Sequence, residues 1–208
     1  MIQAIVSDFG GVLTLPLNEA LVRAHNELGI PVDALGRAMR HAEERDGERP
    51  IFRLERGQIT ESEFMETLQT SLEAVLGHAV DLDGYGERLM RELTPNEPLL
   101  EYFRGLRGRG LRLAICTNNV REWQHRWRSP EIDALFELVV DSGFEGTRKP
   151  ESEIYEIVLQ RLALPASECV FVDDLEINVE GAVSAGMHGV HFRETAQAVA
   201  EIDALLGA

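Results

Sequence analysis

Apolar positions along this chain fall into two rhythms. Five short runs, Ile2–Ser7, Leu111–Cys116, Leu138–Val140, Cys169–Val172 and Gly189–Phe192, are mostly β-branched and nearly continuous. That is the pattern of parallel strands buried on both faces; a half-exposed strand alternates instead. Between the later runs the spacing changes to three and four. Leu99, Leu100, Phe103 and Leu106 share one helical face, as do Ile154, Ile157, Val158 and Leu162. Strand and helix in alternation predict an α/β architecture, a right-handed, doubly wound, Rossmann-like parallel sheet.

The first two strand runs lie about a hundred residues apart, far beyond an ordinary crossover. Helical periodicity fills the interval, first in Leu17, Leu21, Ala24 and Leu28, then in Phe64, Leu68, Leu72 and Val75. Thr60 and Glu63 stand at capping-box spacing ahead of the second group. The division expected is a core of residues 1–14 and 92–208, with an α-helical subdomain, 15–91, inserted after strand one. No internal repeat or low-complexity tract interrupts it.

Composition narrows the function classes. A chain of 208 residues with 44% hydrophobic and 27% charged residues is that of a globular protein. A formal charge of −16 repels phosphate backbones and anionic membrane faces, so neither nucleic acid nor membrane is an expected partner. Cys116 and Cys169 sit in or beside apolar runs and read as buried, reduced thiols. No run approaches the length of a membrane span, and the first strand begins almost at once, leaving no room for a signal peptide. The expected location is the cytoplasm. Oligomeric state is not legible.

Chemistry-bearing residues gather where the strands end. Strand one runs into Asp8-Phe9-Gly10-Gly11. Ligands of open α/β sheets bind at the carboxyl ends of strands, and glycines let backbone N–H groups approach an anion, although turn-forming residues alone also produce such a segment. Strand two ends in Thr117-Asn118-Asn119, either a phosphate cradle or an ordinary helix N-cap. Arg148-Lys149-Pro150-Glu151 precedes a helix; Lys149 either reaches the crevice or is solvated. After strand four come Asp173 and Asp174. Adjacent carboxylates behind a buried strand are costly unless neutralised, and a hard cation such as Mg²⁺ does so with few ligands; a helix N-cap by one Asp is the other reading, and it leaves the second unexplained.

In their order these segments resemble the four motifs of the haloacid dehalogenase (HAD) superfamily, mostly phosphohydrolases. Asp8 to Leu13, Thr117-Asn118, Arg148 to Glu151 and Phe171 to Asp174 carry the match, and Asn178-Val179-Glu180-Gly181-Ala182 is similar to members with a helical cap after the first motif. The resemblance implies that Asp8 attacks phosphorus and forms an aspartyl-phosphate. Thr117 and the Asn118 N–H hold the phosphoryl oxygens, with Gly10 and Gly11 beside them, and Lys149 stabilises charge. It implies Mg²⁺ held by Asp8, the Gly10 carbonyl and Asp174, with Asp173 and Asn178 assisting through water. A small phosphorylated substrate follows, such as a sugar phosphate.

One position departs from the pattern. Most phosphatases of the superfamily carry an Asp two residues after the nucleophile as general acid and base; here Gly10 stands there. The missing proton donor is worth typically ~10²–10⁴ in rate. Phosphatase activity therefore competes with two alternatives, haloacid dehalogenation and a catalytically weak module that binds a phosphorylated ligand. For substrate recognition the sequence offers a charged loop, Glu43 to Pro50, expected to be largely solvated. His25 and His41 are expected on helix surfaces, and Trp123 with Trp127 in the core or in a crevice wall.

Overall fold

The computed structural model describes residues 1–14 and 17–207. Five parallel strands, β1 (Ala4–Ser7), β2 (Arg112–Thr117), β3 (Leu138–Asp141), β4 (Cys169–Asp173) and β5 (His188–His191), form one sheet in the order β3-β2-β1-β4-β5. All five strand runs expected from the sequence are present, with no end moved by more than two residues.

Their unbroken hydrophobicity has a simple cause: successive residues feed different layers. Ile5, Leu113, Ile115, Val170 and Val172 face one helical layer, while Ala4, Val6, Ala114, Cys116 and Phe171 face the other. Cys116 and Cys169 are buried and free. The chain builds outward from β1 to β2 and β3, then crosses to β4 and β5 on the other side. The switch point between β1 and β4 opens a crevice at their carboxyl ends.

Six described helices lie between β1 and β2, and the first five are α1 (Leu17–Leu28), α2 (Ala34–Asp46), α3 (Pro50–Glu55), α4 (Glu61–Leu76) and α5 (Tyr85–Glu92). The Leu15 boundary lies outside the described residues. The capping box is formed, with Thr60 Oγ1 accepting from the Glu63 N–H at 3.2 Å and Glu63 Oε2 from the Thr60 N–H at 2.7 Å. Ala34, Ala38, Leu54, Phe64, Leu68, Leu72, Tyr85 and Leu89 make a second hydrophobic core. It is shared with Val120 and Trp123, which follow β2.

Two local expectations give way. The Glu43–Pro50 stretch is mostly helical, because α2 runs to Asp46 and Pro50 opens α3. His25 is not on a helix surface; it is buried, its Nε2 3.1 Å from the Tyr85 hydroxyl. A helical wheel reports which residues share a face, not that a polar member of that face has a buried partner.

The remaining elements complete the layers: α6 (Glu97–Gly108), α7 (Gln124–Trp127), α8 (Pro130–Leu135), α9 (Ser142–Glu145), α10 (Ser152–Leu162), α11 (Glu176–Ser184) and α12 (Thr195–Leu206). Ion pairs tie the inserted helices to the sheet-bearing part. Arg148 Nε donates to Glu55 at 2.6 Å, and Arg56, just beyond α3, donates to Glu151 and to Glu48. No described helix is long and apolar enough to cross a membrane.

Candidate active site

Asp8 leaves the end of the central strand, its N–H donating to the Val172 carbonyl of β4 at 2.8 Å. This ladder contact holds the carboxylate beside Asp173 and Asp174. The three carboxylates offer oxygens all within 4.8 Å of one another. Lys149, completely buried, answers them: Nζ donates to Asp173 Oδ2 at 2.6 Å and stands 2.8 Å from Asp8 Oδ1. Apart from this ion pair, Asp8 Oδ1 is buried without a hydrogen-bond partner among the described residues.

Burial pushes the Asp8 carboxyl up to about 7; Lys149 opposes the rise, and Asp173 and Asp174 add to it. Asp174 is likewise raised by burial and by its Asp173 neighbour. For Lys149, burial works against the ammonium, but Asp173 and Asp8 outweigh it and hold the group charged. Asp173 is fully partnered. Besides Lys149 it accepts from the Leu175 N–H at 2.9 Å and from Asn178 Nδ2 at 3.0 Å.

The strand-two residues prove not to cap a helix with their side chains. The short helical turn that follows starts beyond Val120, without a side-chain cap. Asn118 instead clamps the backbone of Lys149: its Oδ1 accepts from the Lys149 N–H at 2.8 Å and its Nδ2 donates to the Lys149 carbonyl at 3.0 Å. The lysine is thereby held from both ends, by Asn118 on its main chain and by carboxylates on its ammonium. Thr117 is buried and lines the same crevice.

The two glycines of the first segment differ. Gly11 has φ +85°, and a Cβ there would lie 2.4 Å from Asp174 Oδ2. Its N–H is already engaged by Thr14 Oγ1 at 3.2 Å. Glycine is needed at 11 so that Asp174 can approach, a different reason from the backbone approach to an anion expected from the sequence. Gly10 lies outside the left-handed region, and a Cβ there meets nothing within 4 Å.

The crevice around Asp8, Lys149 and Asp174 has a volume of about 510 Å³ and also includes Gly10, Gly11, Thr117, Asn118 and Asn178. The sequence-predicted site residues therefore converge, Asp173 standing directly behind Lys149. Two charged lining residues were not singled out from sequence, Glu55 from α3 and Arg193 after β5. Glu55 carried no distinguishing signal in a charged stretch; only the fold brings it to Arg148, and burial raises its carboxyl while Arg148 opposes the rise. His25, His41 and residues 43–50 do not line the crevice.

The parallel α/β sheet thus presents a carboxylate cluster and a buried lysine at its switch point. A family model for haloacid dehalogenase-like hydrolases matches residues 2–186, and the chain belongs to that family. Among curated relatives it is 30% identical over 207 residues to acyl-CoA dehydrogenase family member 10 of Mus musculus, covering 99% of this chain and 19% of that protein. It is 33% identical over 122 residues to the sesquiterpene phosphatase astK of Aspergillus oryzae, covering 55% of this chain and 59% of that one. It is 28% identical over 195 residues to a phosphorylated carbohydrates phosphatase of Thermotoga maritima, covering 91% and 84%.

Solved structures show the same fold. A HAD-like family hydrolase from Porphyromonas gingivalis superposes with TM-score 0.74 at 23% identity, covering 100% of this chain and 99% of that one. A HAD family enzyme from Bacteroides thetaiotaomicron, solved with magnesium and inorganic phosphate, gives 0.65 at 20%, covering 93% and 95%.

Proposed function

We propose that this chain is a Mg²⁺-dependent phosphoric monoester hydrolase acting on a small phosphorylated metabolite, with Asp8 as nucleophile and residues 15–91 as a cap. The observation that carries the reading is the buried cluster of three carboxylates faced by Lys149. Relatives named as phosphatases and the fold relative crystallised with magnesium and phosphate support it.

The residues present fit a divalent cation. Three carboxylates against one ammonium leave excess negative charge, Asp8 Oδ1 is buried without a hydrogen bond, and Gly11 makes room for Asp174. Asp8, the Gly10 carbonyl and Asp174 would hold Mg²⁺, with Asp173 and Asn178 in support. When bound, the ion would offset carboxylate and phosphoryl charge and favour ionised Asp8.

The protein's own groups do the rest. Asp8 attacks phosphorus in line with the departing alcohol oxygen, and water then opens the aspartyl-phosphate. Thr117 and the Asn118 N–H orient the phosphoryl oxygens, while Lys149, fixed by Asn118 and Asp173, meets charge developing there without reorganising. Asp174 weighs against the dehalogenase alternative, in which no cation would offset its partly buried carboxylate beside Asp173.

The test is phosphate release from p-nitrophenyl phosphate with Mg²⁺ and with chelator, alongside Asp8→Asn. Release that needs Mg²⁺ and falls by about 10⁴-fold or more in the folded variant is the expected result. Chelator-insensitive release, or substantial turnover by Asp8→Asn, would remove the reading.

A further inference from the structure

Beside the charged crevice lies a second hollow of different character, about 260 Å³ in volume. It shares Gly10, Leu21, Glu55, Thr117 and Asn118 with the crevice, so the two adjoin. Beyond that shared rim its walls are overwhelmingly apolar, with Leu35, Phe64, Leu68, Tyr85, Trp123 and Trp127 among them. Glu55 is its only charged lining residue among those described.

Of the polar groups around it, most are already engaged, and only the indole N–H groups of Trp123 and Trp127 are buried without a partner among the described residues. Glu55 accepts from Arg148, both ends of the Asn118 amide hold Lys149, and Asn119 Oδ1 accepts from the Val120 N–H. The Tyr85 hydroxyl meets His25. A polyol seated here would lose water from several hydroxyls and find few partners, whereas an apolar group would replace water at no such cost. Apolar cavities of this kind take apolar occupants. Three elements of the insert, α2, α4 and α5, supply Leu35, Phe64, Leu68 and Tyr85.

We propose that the substrate is a phosphate monoester of an apolar alcohol, its phosphate beside Asp8 and its hydrocarbon in the hollow walled by Leu35, Phe64, Leu68, Tyr85, Trp123 and Trp127. This rests on the phosphatase reading and narrows it away from sugar phosphates. At about 30 Å³ per small molecular volume, the hollow has room for roughly eight to ten non-hydrogen atoms.

Binding is measured first, so that the answer does not depend on turnover. Straight-chain alkyl phosphonates of two to twelve carbons are titrated calorimetrically into the full chain with Mg²⁺, with glucose 6-phosphate as the polar comparison. Affinity should rise by about threefold to fourfold per methylene, near the value for burying one CH₂, and level off close to the capacity above. Met39 also lines the hollow, and Met39→Trp should move the plateau about two carbons shorter. Should Met39→Trp not fold, Leu35→Phe tests the same wall.

The corresponding alkyl phosphates then give kcat/KM. Beyond the shortest members their leaving groups are nearly equal in basicity, so the chain-length trend reports the hollow alone. Chain-length-dependent binding with matching kcat/KM supports the proposal. Flat binding, or tighter binding of glucose 6-phosphate than of the octyl compound, overturns it even if phosphate is released. Chain-length-dependent binding with no release from any ester would leave the apolar site standing and overturn the phosphatase reading.

Discussion

The two hollows that meet at Gly10 and Thr117 are built on opposite principles. Around Asp8, charge is dense and Lys149 and Asp173 are held in a network: Asn118 on the Lys149 backbone, Lys149 on Asp173, Asn178 on Asp173. Around Phe64 and Trp123 the walls are mostly apolar, and shape and volume are the main things they offer a ligand. A buried polar network tolerates almost no change, because each lost partner strands another group. An apolar wall tolerates substitution of similar volume. One surface can therefore keep its chemistry while the other adapts to different substrates.

The largest effect expected from disturbing this contrast is at Lys149. Lys149→Met removes the ammonium from two carboxylates in a fully buried place, which should cost about 3–5 kcal/mol in stability. Catalysis should fall by about 10²-fold or more with the loss of a preorganised charge. Adding Asp173→Asn should recover stability in urea melts but not phosphate release. If the double variant is no more stable than the single one, the pair is not the unit described here.

Gly10 sharpens the comparison next, lying on the rim of both hollows. A side chain there meets nothing within 4 Å, and the backbone is not left-handed, so Gly10→Asp is accommodated. It supplies a carboxyl two residues after Asp8, where the resemblance to the superfamily implies a general acid, and turnover of alkyl phosphates should rise by about 10²-fold, toward the lower end of that group's worth. The wild-type protein should meanwhile favour esters with weakly basic leaving groups. A leaving-group series with no slope in the chemical step would show that another group supplies the proton, and Glu55 would be the first to examine.

The smallest effect belongs to the insert. Burial lowers the His25 pKa from its ordinary 6.5. A base whose folded pKa is depressed contributes stability fully above the unfolded value and loses it as pH falls through the folded one. Melting temperature should therefore drop as pH falls below 6.5, and His25→Gln should flatten that part of the profile. An unchanged acid limb in the variant would place the titrating group elsewhere.

Much of this molecule was legible along the chain. β-branched runs without alternation marked the parallel strands, three-four spacing marked α4, α6 and α10, and Thr60 with Glu63 marked where α4 begins. The order of Asp8, Thr117, Lys149 and Asp174 behind successive strands also pointed to one edge, because a doubly wound sheet brings its carboxyl ends together. These are local signals, set by backbone geometry within a few residues.

Other features exist only through contacts between distant segments. Nothing near Gly11 in sequence shows that Asp174 presses on it, nor does the charged run before Gly57 show that Glu55 alone reaches the crevice. Asn118 reads as a cap until Lys149, 31 residues later, is folded against it. The apolar hollow draws on α2, α4 and α5 together with Val120, Trp123 and Trp127, each of which reads singly as core. Periodicity tells a side chain that it is turned inward; only tertiary packing decides whether it meets another side chain or leaves a space for a ligand.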